Sequence, residues 1–548
     1  MDFSDIFKLK PVIDYDISRN DKIAYVVELE KPVAYIKDEG RIDVEGYVDE
    51  VNWIDNKRLA ITVDQKGGEV RQIWIRETDG KLEKLLADNN DNVSPFFING
   101  PNKFLFISNR DGKTMHLYLY DNGEITKISD GELPVSDLCS NKRKVVYSQG
   151  IYDNDVIIFD LDKNLMEAKI SFPNSEQHPA SQECIQEDGS IIFLSNHEDF
   201  YNVGLWNRGE IEWLINTSHE KYEAISFNGD IFYVEDDDGT FKLRAKRSGK
   251  TIFEGGIINS LKTMNNYLYF IASTYNRSFD LYRFDGNKVE RLTDSIEGID
   301  TKELVRPSKV KYKSFDGVEI TALLYSKGNN EDKGVIYIHG GPDWECTESL
   351  NLDIQFLVKA GFKVICPNYR GSTGYGRRFN HLNDKDLGGD DLRDVVEAIK
   401  VLNVKKVAVA GGSYGGYLTM MAVTKYPDLW CSAVAVVPFV NWFTEKQFER
   451  DVLKQYDEIK MGNDEALLRD RSPIFFVDRI KAPLLLLAGE NDPRCPAEET
   501  LQVVEKLKES GRTVEYAIYK DEGHGFAKKE NEVDSIKRLV DFISTQCK

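Results

Sequence analysis

The chain has 548 residues, which is more than one hydrophobic core supports, and its apolar fraction of 41% is that of a folded globular protein, so we expect at least two domains. Its formal net charge of −21 argues against a nucleic-acid partner, because phosphate backbones are bound by basic surfaces. The sequence has no run of about 18 consecutive apolar residues, so we expect neither a membrane-spanning helix nor a membrane partner.

Residues 15–298 repeat a unit of short strands separated by polar turns. Similar units lie near residues 15–46, 48–90, 93–132, 135–176, 180–220, 222–256 and 257–298. A repeat of about 40 residues is typical of propeller blades, which bury their sheet faces only by stacking on their neighbours. Seven blades is the best count, with six or eight left open. A large all-β sandwich is the alternative, and the regular recurrence of hairpin turns argues against it.

A different pattern follows Gly298. The segment 305–325 still predicts paired strands. Six short apolar runs come next, at 334–341, 362–369, 406–412, 432–438, 483–489 and 514–520. Helical patterns such as 390–402 and 497–510 fall between them, which indicates a mostly parallel sheet covered by helices on both faces. We therefore predict an all-β propeller domain at 1–298 and an α/β domain at 299–548.

One glycine-rich turn of the second domain carries a candidate nucleophile. Residues 411–415, GGSYG, fit the pattern G-x-S-x-G directly after a predicted strand and directly before a predicted helix. In that position the pattern predicts a strained turn that exposes the hydroxyl of Ser413 at the carboxyl edge of the sheet, beside the free amides of a helix N-terminus. We therefore expect an α/β-hydrolase fold with Ser413 as its nucleophile. The alternative is an ordinary glycine-rich connection.

A nucleophilic serine needs a base, and the base needs a carboxylate that orients it. In this fold the chain order is serine, acid, histidine, and His524 is the only histidine after Ser413. The acid should follow a late strand, where Glu490 and Asp492 both lie. We prefer Asp492, because it lies deeper in the turn, and Pro493 fixes the loop that follows it.

Residues 339–342, HGGP, end another predicted strand and are similar to the loop that donates one N–H to an oxyanion hole. The second N–H comes from the residue after the nucleophile, so we expect the amides of Gly341 and Tyr414 to be the donors. We interpret His339 as structural because it precedes the serine, and His381 as a surface or packing residue.

The sequence contains few other motifs that indicate a metal, a cofactor, disulfides or a targeting signal. We find neither metal-ligand spacing nor a phosphate-binding glycine loop, and we expect no metal and no cofactor; residues 235–239, EDDDG, lack the full calcium-loop pattern. Seven scattered cysteines without Cys-x-x-Cys spacing favour reduced thiols over a disulfide framework. The N-terminus lacks the basic and apolar stretches of a signal peptide. We therefore predict a cytoplasmic protein.

The motifs together resemble the prolyl oligopeptidase family of serine peptidases, most closely its acylaminoacyl-peptidase branch. The resemblance is carried by residues 339–342, 367–376, 411–416, 471–480, 491–496 and 521–525. It covers the whole α/β half, and the family's propeller matches the β-repeat half in architecture. The resemblance implies that Arg494, two residues after the aspartate, binds the carbonyl on the amino side of the scissile residue. It also implies a pocket for that residue lined by Phe439, Trp442, Phe443 and Phe448.

The expected function is a serine exopeptidase that releases N-acylated amino acids from short or unfolded peptides. A propeller that caps the triad would keep folded proteins out. Three alternatives stay open: a dipeptidyl-peptidase or oligopeptidase of the same family, a broad carboxylesterase, and a non-catalytic scaffold. A dipeptidyl-peptidase would need propeller carboxylates that bind a free amine, and the sequence assigns no such pair. The oligomeric state is open, a homo-oligomer included.

Overall fold

The structure, a computed structural model, describes residues 1–112, 114–328 and 331–548. Over these residues it forms seven four-stranded antiparallel sheets followed by one eight-stranded, mostly parallel sheet. The predicted seven-bladed propeller and α/β-hydrolase fold are thereby confirmed. Each blade consists of four strands that are consecutive in the sequence.

The first four blades contain β1 (Val12–Ile17), β2 (Ile23–Glu28), β3 (Pro32–Ile36), β4 (Gly40–Ile42); β5 (Tyr47–Trp53), β6 (Leu59–Asp64), β7 (Arg71–Arg76), β8 (Leu82–Leu86); β9 (Asn92–Asn99), β10 (Lys103–Ser108), β11 (His116–Asp121), β12 (Glu124–Lys127); and β13 (Val135–Ser140), β14 (Lys144–Gln149), β15 (Asp155–Asp160), β16 (Leu165–Ile170). The last three contain β17 (Gln177–Pro179), β18 (Ile191–Ser195), β19 (Asn202–Asn207), β20 (Glu210–Ile215); β21 (Lys221–Phe227), β22 (Asp230–Asp237), β23 (Thr240–Ala245), β24 (Thr251–Gly255); and β25 (Ile257–Met264), β26 (Tyr267–Thr274), β27 (Arg277–Phe284), β28 (Val289–Arg291).

The first strand of each blade lines a central cavity of about 1080 Å³. Carboxylates at bulges of these strands hold the neighbouring blade by accepting backbone N–H groups. Asp14 accepts from Val51 at 2.8 Å, and Glu50 accepts from Ser94 at 2.9 Å. Hydrogen bonds to a charged acceptor are stronger than neutral ones, so these contacts fix the blades to one another.

The first and last blades meet through side chains. The hydroxyl of Tyr15 donates to the carbonyl of Ser260 at 2.5 Å, and Lys262 Nζ donates to the Tyr15 carbonyl at 2.8 Å. Lys262 also pairs with Asp16 at 3.2 Å. Tyr15 itself is buried among apolar residues of both blades, so an apolar cluster and a partly buried ion pair close the ring.

The second sheet has the order β29-β30-β32-β31-β33-β34-β35-β36, in which β31 to β36 are parallel. Its strands are β29 (Ser308–Lys313), β30 (Glu319–Tyr325), β31 (Lys333–Ile338), β32 (Lys363–Pro367), β33 (Lys406–Gly412), β34 (Ala433–Val436), β35 (Leu484–Gly489) and β36 (Glu515–Tyr519). The helices of the chain are α1 (Phe3–Ile6), α2 (Leu352–Lys359), α3 (Arg377–Asn380), α4 (Asp390–Leu402), α5 (Tyr414–Lys425), α6 (Trp442–Phe448), α7 (Asp451–Lys460), α8 (Glu465–Asp470), a 3₁₀ helix (Pro473–Arg479), α9 (Ala497–Glu509) and α10 (Lys529–Gln546).

Two apolar cores enclose this sheet. Helices α4, α5 and α9 cover one face, with residues such as Leu418 and Val503 buried against the strands. Helices α2 and α10 cover the other face, where Phe356 and Leu539 are buried and Phe3 of α1 stacks on Phe356 at 4.3 Å. The carboxyl edge of the sheet is left to the loops, where α/β folds carry their sites.

The expectation of reduced thiols is wrong for six of the seven cysteines. Among the described residues, disulfides join Cys139 to Cys184, Cys346 to Cys366, and Cys431 to Cys547, while Cys495 is free and buried. The partners lie 20 to 116 residues apart in the sequence, so only the fold brings them together. The prediction of a cytoplasmic protein relied in part on reduced thiols, and it no longer has that argument. No described helix is both long enough and apolar enough to cross a membrane.

Candidate active site

Ser413 lies at a sharp turn between β33 and α5. Its backbone adopts φ 57° and ψ −124°, a conformation that costs a non-glycine residue on the order of 1–3 kcal/mol. The glycines after it permit the turn: a Cβ on Gly415 would lie 2.1 Å from the Ile338 carbonyl oxygen, and one on Gly416 would lie 2.8 Å from that of Val436. Helix α5 therefore packs closely against β31 and β34 and keeps the serine at the edge of the sheet.

His524 lies within hydrogen-bond distance of both other predicted triad residues. His524 Nε2 lies 2.8 Å from Ser413 Oγ, and His524 Nδ1 lies 2.8 Å from Asp492 Oδ2. Asp492 is buried, and its Oδ1 also accepts the backbone N–H groups of Arg494 and Cys495, each at 2.9 Å. These bonds hold the carboxylate in one orientation toward the imidazole.

Glu490, the other candidate for the triad acid, contacts a different partner. Its Oε2 accepts the backbone N–H of Asp521 at 3.1 Å, so it supports the loop that leads to His524. A second carboxylate, that of Glu522, belongs to this loop and stabilises it. Glu522 is fully buried and accepts the N–H groups of Ala527 and Lys528, and burial raises its pKa. The histidine loop is thus fixed on both sides of His524.

The HGGP loop lies beside the serine. A Cβ on Gly340 would be 3.3 Å from Ser413 Cβ, and Gly341 adopts φ 118°, which a residue with a side chain rarely takes. His339 is buried, its ring stacks on Tyr369 at 4.3 Å, and its Nε2 lies 2.8 Å from Ser372 Oγ. Burial lowers the pKa of His339 to about 4, so its ring is neutral at pH 7 and packs as part of the fold.

The other histidine considered, His381, makes its contacts elsewhere. Its Nδ1 lies 2.6 Å from Asp384 Oδ2, and its ring meets Tyr152 edge-on at 4.9 Å. Among the described residues, no group of three or more histidines, cysteines or carboxylates has the arrangement of a metal site.

Comparison with known proteins identifies the family of this site. The model of the prolyl oligopeptidase family matches residues 348–548, a segment that contains Ser413, Asp492 and His524. The C-terminal part of the chain therefore matches the prolyl oligopeptidase family. The family resemblance found in the sequence is thereby confirmed.

Individual members show how far the likeness extends. A dipeptidyl aminopeptidase BIII from Pseudoxanthomonas mexicana is 30% identical over 52% of this chain and 45% of its own length. An acylamino-acid-releasing enzyme from Mus musculus is 29% identical over 42% of this chain and 34% of its own. The chain spans less than half the length of these relatives. A puromycin-hydrolyzing peptidase of Mycobacterium tuberculosis covers 100% of this chain and 96% of its own with TM-score 0.84 and 15% identity, which shows the fold alone.

A propeller hairpin contacts the loops that carry Asp492 and His524. It consists of residues 65–70, between β6 and β7. Asn491 donates its side-chain N–H to the carbonyl of Lys66 at 3.0 Å, and a Cβ on Gly523 would lie 1.8 Å from the carbonyl oxygen of Gly67. Residues adjacent to Asp492 and to His524 therefore both contact the propeller.

The predicted carbonyl-binding arginine, Arg494, pairs with the same hairpin. Its Nε donates to Glu69 at 2.7 Å, and Glu69 also forms an ion pair with Arg450. Burial works to raise the pKa of Glu69, but Arg494, Arg450 and Arg71 outweigh it and hold that pKa below its usual value. The carboxylate is therefore ionised and neutralised by arginines. No sequence motif indicated Glu69, because it comes from a hairpin turn of a different domain.

The four predicted pocket aromatics separate into two groups. Phe439 and Trp442 are buried in the core: Phe439 stacks on Tyr417 at 4.3 Å, and Trp442 Nε1 donates to the Tyr417 hydroxyl at 3.2 Å. Both rings pack against Tyr417 of helix α5, and the pocket expected of them stays a prediction. Phe443 and Phe448, which lie on the same helix α6 as Trp442, are exposed, and their place in the pocket stays a prediction.

One exposed aromatic beside the site was missed in the sequence. Trp344 follows the HGGP loop by two residues and is 46% exposed, while the flanking Glu345 is buried. An exposed tryptophan next to a candidate oxyanion loop is a surface that a substrate can contact. The signal was the Asp-Trp-Glu sequence directly after HGGP.

Proposed function

We propose that the protein is a serine exopeptidase that hydrolyses short or unfolded peptides and releases N-acylated amino acids from their N-termini. The observation that supports it most is the hydrogen-bonded series Ser413–His524–Asp492 beside the HGGP loop. No metal or cofactor is needed for this reaction.

Each residue has a defined part in the reaction. Ser413 Oγ attacks the carbonyl carbon and passes its proton to His524 Nε2, while Asp492 accepts the Nδ1–H and stabilises the imidazolium. The N–H groups of Gly341 and Tyr414 stabilise the oxyanion. The imidazolium then protonates the leaving amine, and water hydrolyses the acyl-enzyme with the histidine as base.

The charge balance near Arg494 favours an acylated N-terminus. A free amine would need a carboxylate without a cation, and Glu69 already faces Arg494 and Arg450. Arg494 can still donate to a neutral carbonyl, because a guanidinium has five N–H groups. The arginine therefore suits the amide of an N-acyl group.

A dipeptidyl-peptidase or oligopeptidase is the second candidate, favoured by the likeness to the dipeptidyl aminopeptidase. The test is a set of peptides that differ only by N-terminal acetylation at a fixed cleavage site. Faster cleavage of the acetylated series supports the proposal, and faster cleavage of the free amines overturns it in favour of the second candidate. Arg494→Ala should reduce acyl-peptide turnover more than small aryl-ester turnover; equal losses would favour a carboxylesterase.

A fluorophosphonate probe tests the chemistry independently of the substrate. The wild type should be labelled and Ser413→Ala should not. Equal labelling of both, or of neither, would contradict the catalytic assignment and favour a non-catalytic scaffold. The cytoplasmic location, the lack of a nucleic-acid partner and the oligomeric state stay predictions.

A further inference from the structure

The three residues after the HGGP loop are held by the propeller. Trp344 lies between two carboxylates, Asp343 and Glu345. The hydroxyl of Tyr152, in the turn between β14 and β15, donates to Asp343 Oδ2. The hydroxyl of Tyr222, on β21, donates to Glu345 Oε1 at 2.8 Å. Two different blades thus each hold one side of the same segment through the same kind of bond.

The Tyr152 contact requires an unfavourable backbone conformation at Tyr152. Tyr152 has φ 60°, a left-handed conformation that is unfavourable for a residue with a side chain. Its ring is enclosed by Tyr456 at 5.7 Å and by His381, and Asn380 donates to the other oxygen of Asp343 at 2.6 Å. Backbone strain persists only where the surroundings enforce it, so the position of this hydroxyl is well determined.

The Tyr222 contact is equally enclosed. Tyr222 stacks on Phe241 at 4.9 Å with an interplanar angle of 8°. Glu345 is buried, and its Oε2 fills the space that a side chain at Gly374 would need, since a Cβ there would lie 2.4 Å away. Burial raises the pKa of both Tyr152 and Tyr222 well above the usual value, so both hydroxyls keep the proton they donate.

The held segment is continuous with the candidate oxyanion donor. Trp344 N donates to the Pro342 carbonyl at 2.7 Å, and a Cβ on Gly341 would lie 2.5 Å from Asp343 N. Residues 341–344 therefore form one compact turn. A displacement of Asp343 moves Gly341, whose N–H must lie within about 3 Å of the developing oxyanion.

We propose that Tyr152 and Tyr222 are positioning residues: the propeller uses their hydroxyls to set the oxyanion loop of the hydrolase domain. This inference rests on the proposed function, because it assumes that Gly341 donates to an oxyanion. It makes the propeller a part of transition-state stabilisation, in addition to any role as a filter for substrates.

The test uses Tyr152→Phe, Tyr222→Phe and the double variant, each of which removes only hydroxyls. Tyr201→Phe is the matched control, because the Tyr201 hydroxyl donates to Glu176 at 2.7 Å within the propeller, without contacting the hydrolase domain. We expect kcat to fall about 10-fold in each single variant and up to about 100-fold in the double, which is at or below the roughly 10²–10³-fold cost of losing one oxyanion donor outright, because the donor is displaced and not removed. KM should change less than about 2-fold, and the control should keep the wild-type kcat.

Two measurements separate positioning from a general loss of structure. All rates are normalised to the fraction of sites that a fluorophosphonate titrates. A peptide aldehyde, which binds as a tetrahedral adduct, should bind more weakly by the same factor by which kcat/KM falls, while the corresponding carboxylate product should bind unchanged. An unchanged aldehyde affinity, or an equal loss of kcat in the Tyr201→Phe control, would overturn the proposal.

The rates are measured on both an acetylated peptide and a small aryl ester, since both pass through an oxyanion. If the wild type cleaves only the ester, the peptidase function fails while the tyrosine effect on the ester still decides the positioning role. A wild type inert toward both substrates overturns the proposed function, and the positioning role fails with it.

Discussion

The disulfide between Cys431 and Cys547 should be a large contributor to the stability of the hydrolase domain. It ties the end of α10 to the segment before β34, and it closes a loop of 116 residues. Cross-linking that length removes roughly 16 cal/mol/K of entropy from the unfolded chain, or about 5 kcal/mol at 25 °C. We therefore expect the double variant Cys431→Ala/Cys547→Ala to lose up to that amount.

The assay is urea inactivation followed by ester hydrolysis, which reports the domain that carries the site. With a denaturant slope of about 3 kcal/mol/M, the midpoint should fall by about 1–2 M. Cys495→Ala is the matched control, because Cys495 is also buried but forms no cross-link, and it should shift the midpoint much less.

A thiol titration of the denatured, unreduced protein gives the refuting result. The structure predicts one free thiol per chain, that of Cys495, and six that appear only after reduction. Seven thiols without reduction, or equal urea midpoints for the oxidised wild type and the cross-link-free variant, would show that the loop argument is wrong for this protein.

Three further predictions concern the site. Asp492→Asn should keep the fold but lower kcat by about 10⁴-fold, because the amide favours the wrong imidazole tautomer; steady-state kinetics with unchanged circular dichroism checks it. The folded-state pKa of His339, about 4, lies below its unfolded value of about 6.5, so stability should be lost as pH falls through that window, by up to about 3 kcal/mol, and His339→Phe should flatten this slope in pH-dependent unfolding. Gly523→Ala should lower activity at least about 10-fold, because its Cβ would meet the Gly67 carbonyl at 1.8 Å, whereas Gly525→Ala, with no atom within 4 Å, should keep it; equal rates would contradict the role of the propeller hairpin.

The sequence predicted those parts of the fold that repeat or follow a chain order. All seven blades follow the 40-residue repeat, and the six apolar runs of the second half are β31 to β36. The proximity of Ser413, His524 and Asp492 could be predicted because the order of nucleophile, acid and base is characteristic of the fold. Local pattern alone was sufficient there, since each of the three lies just after a strand.

Contacts between distant segments that belong to no motif could not be predicted. The cysteine pairs, the carboxylate of Glu69 and the hydroxyls of Tyr152 and Tyr222 act across domains or across long loops, and no spacing in the sequence records that proximity. The aromatics show a second limit. Phe439 and Phe443 lie four residues apart in one aromatic segment, yet one is in the core and the other is exposed, because burial depends on what packs against each ring.

The closure of the propeller has an evolutionary consequence. Because each blade is a contiguous stretch and the ring is joined at Tyr15, Asp16 and Lys262 by side chains, no sheet is shared between the two ends. Duplication or deletion of one such stretch in the gene would add or remove an entire sheet without cutting another. The number of blades, and with it the width of the central cavity, can therefore change in single genetic steps while the hydrolase domain stays intact.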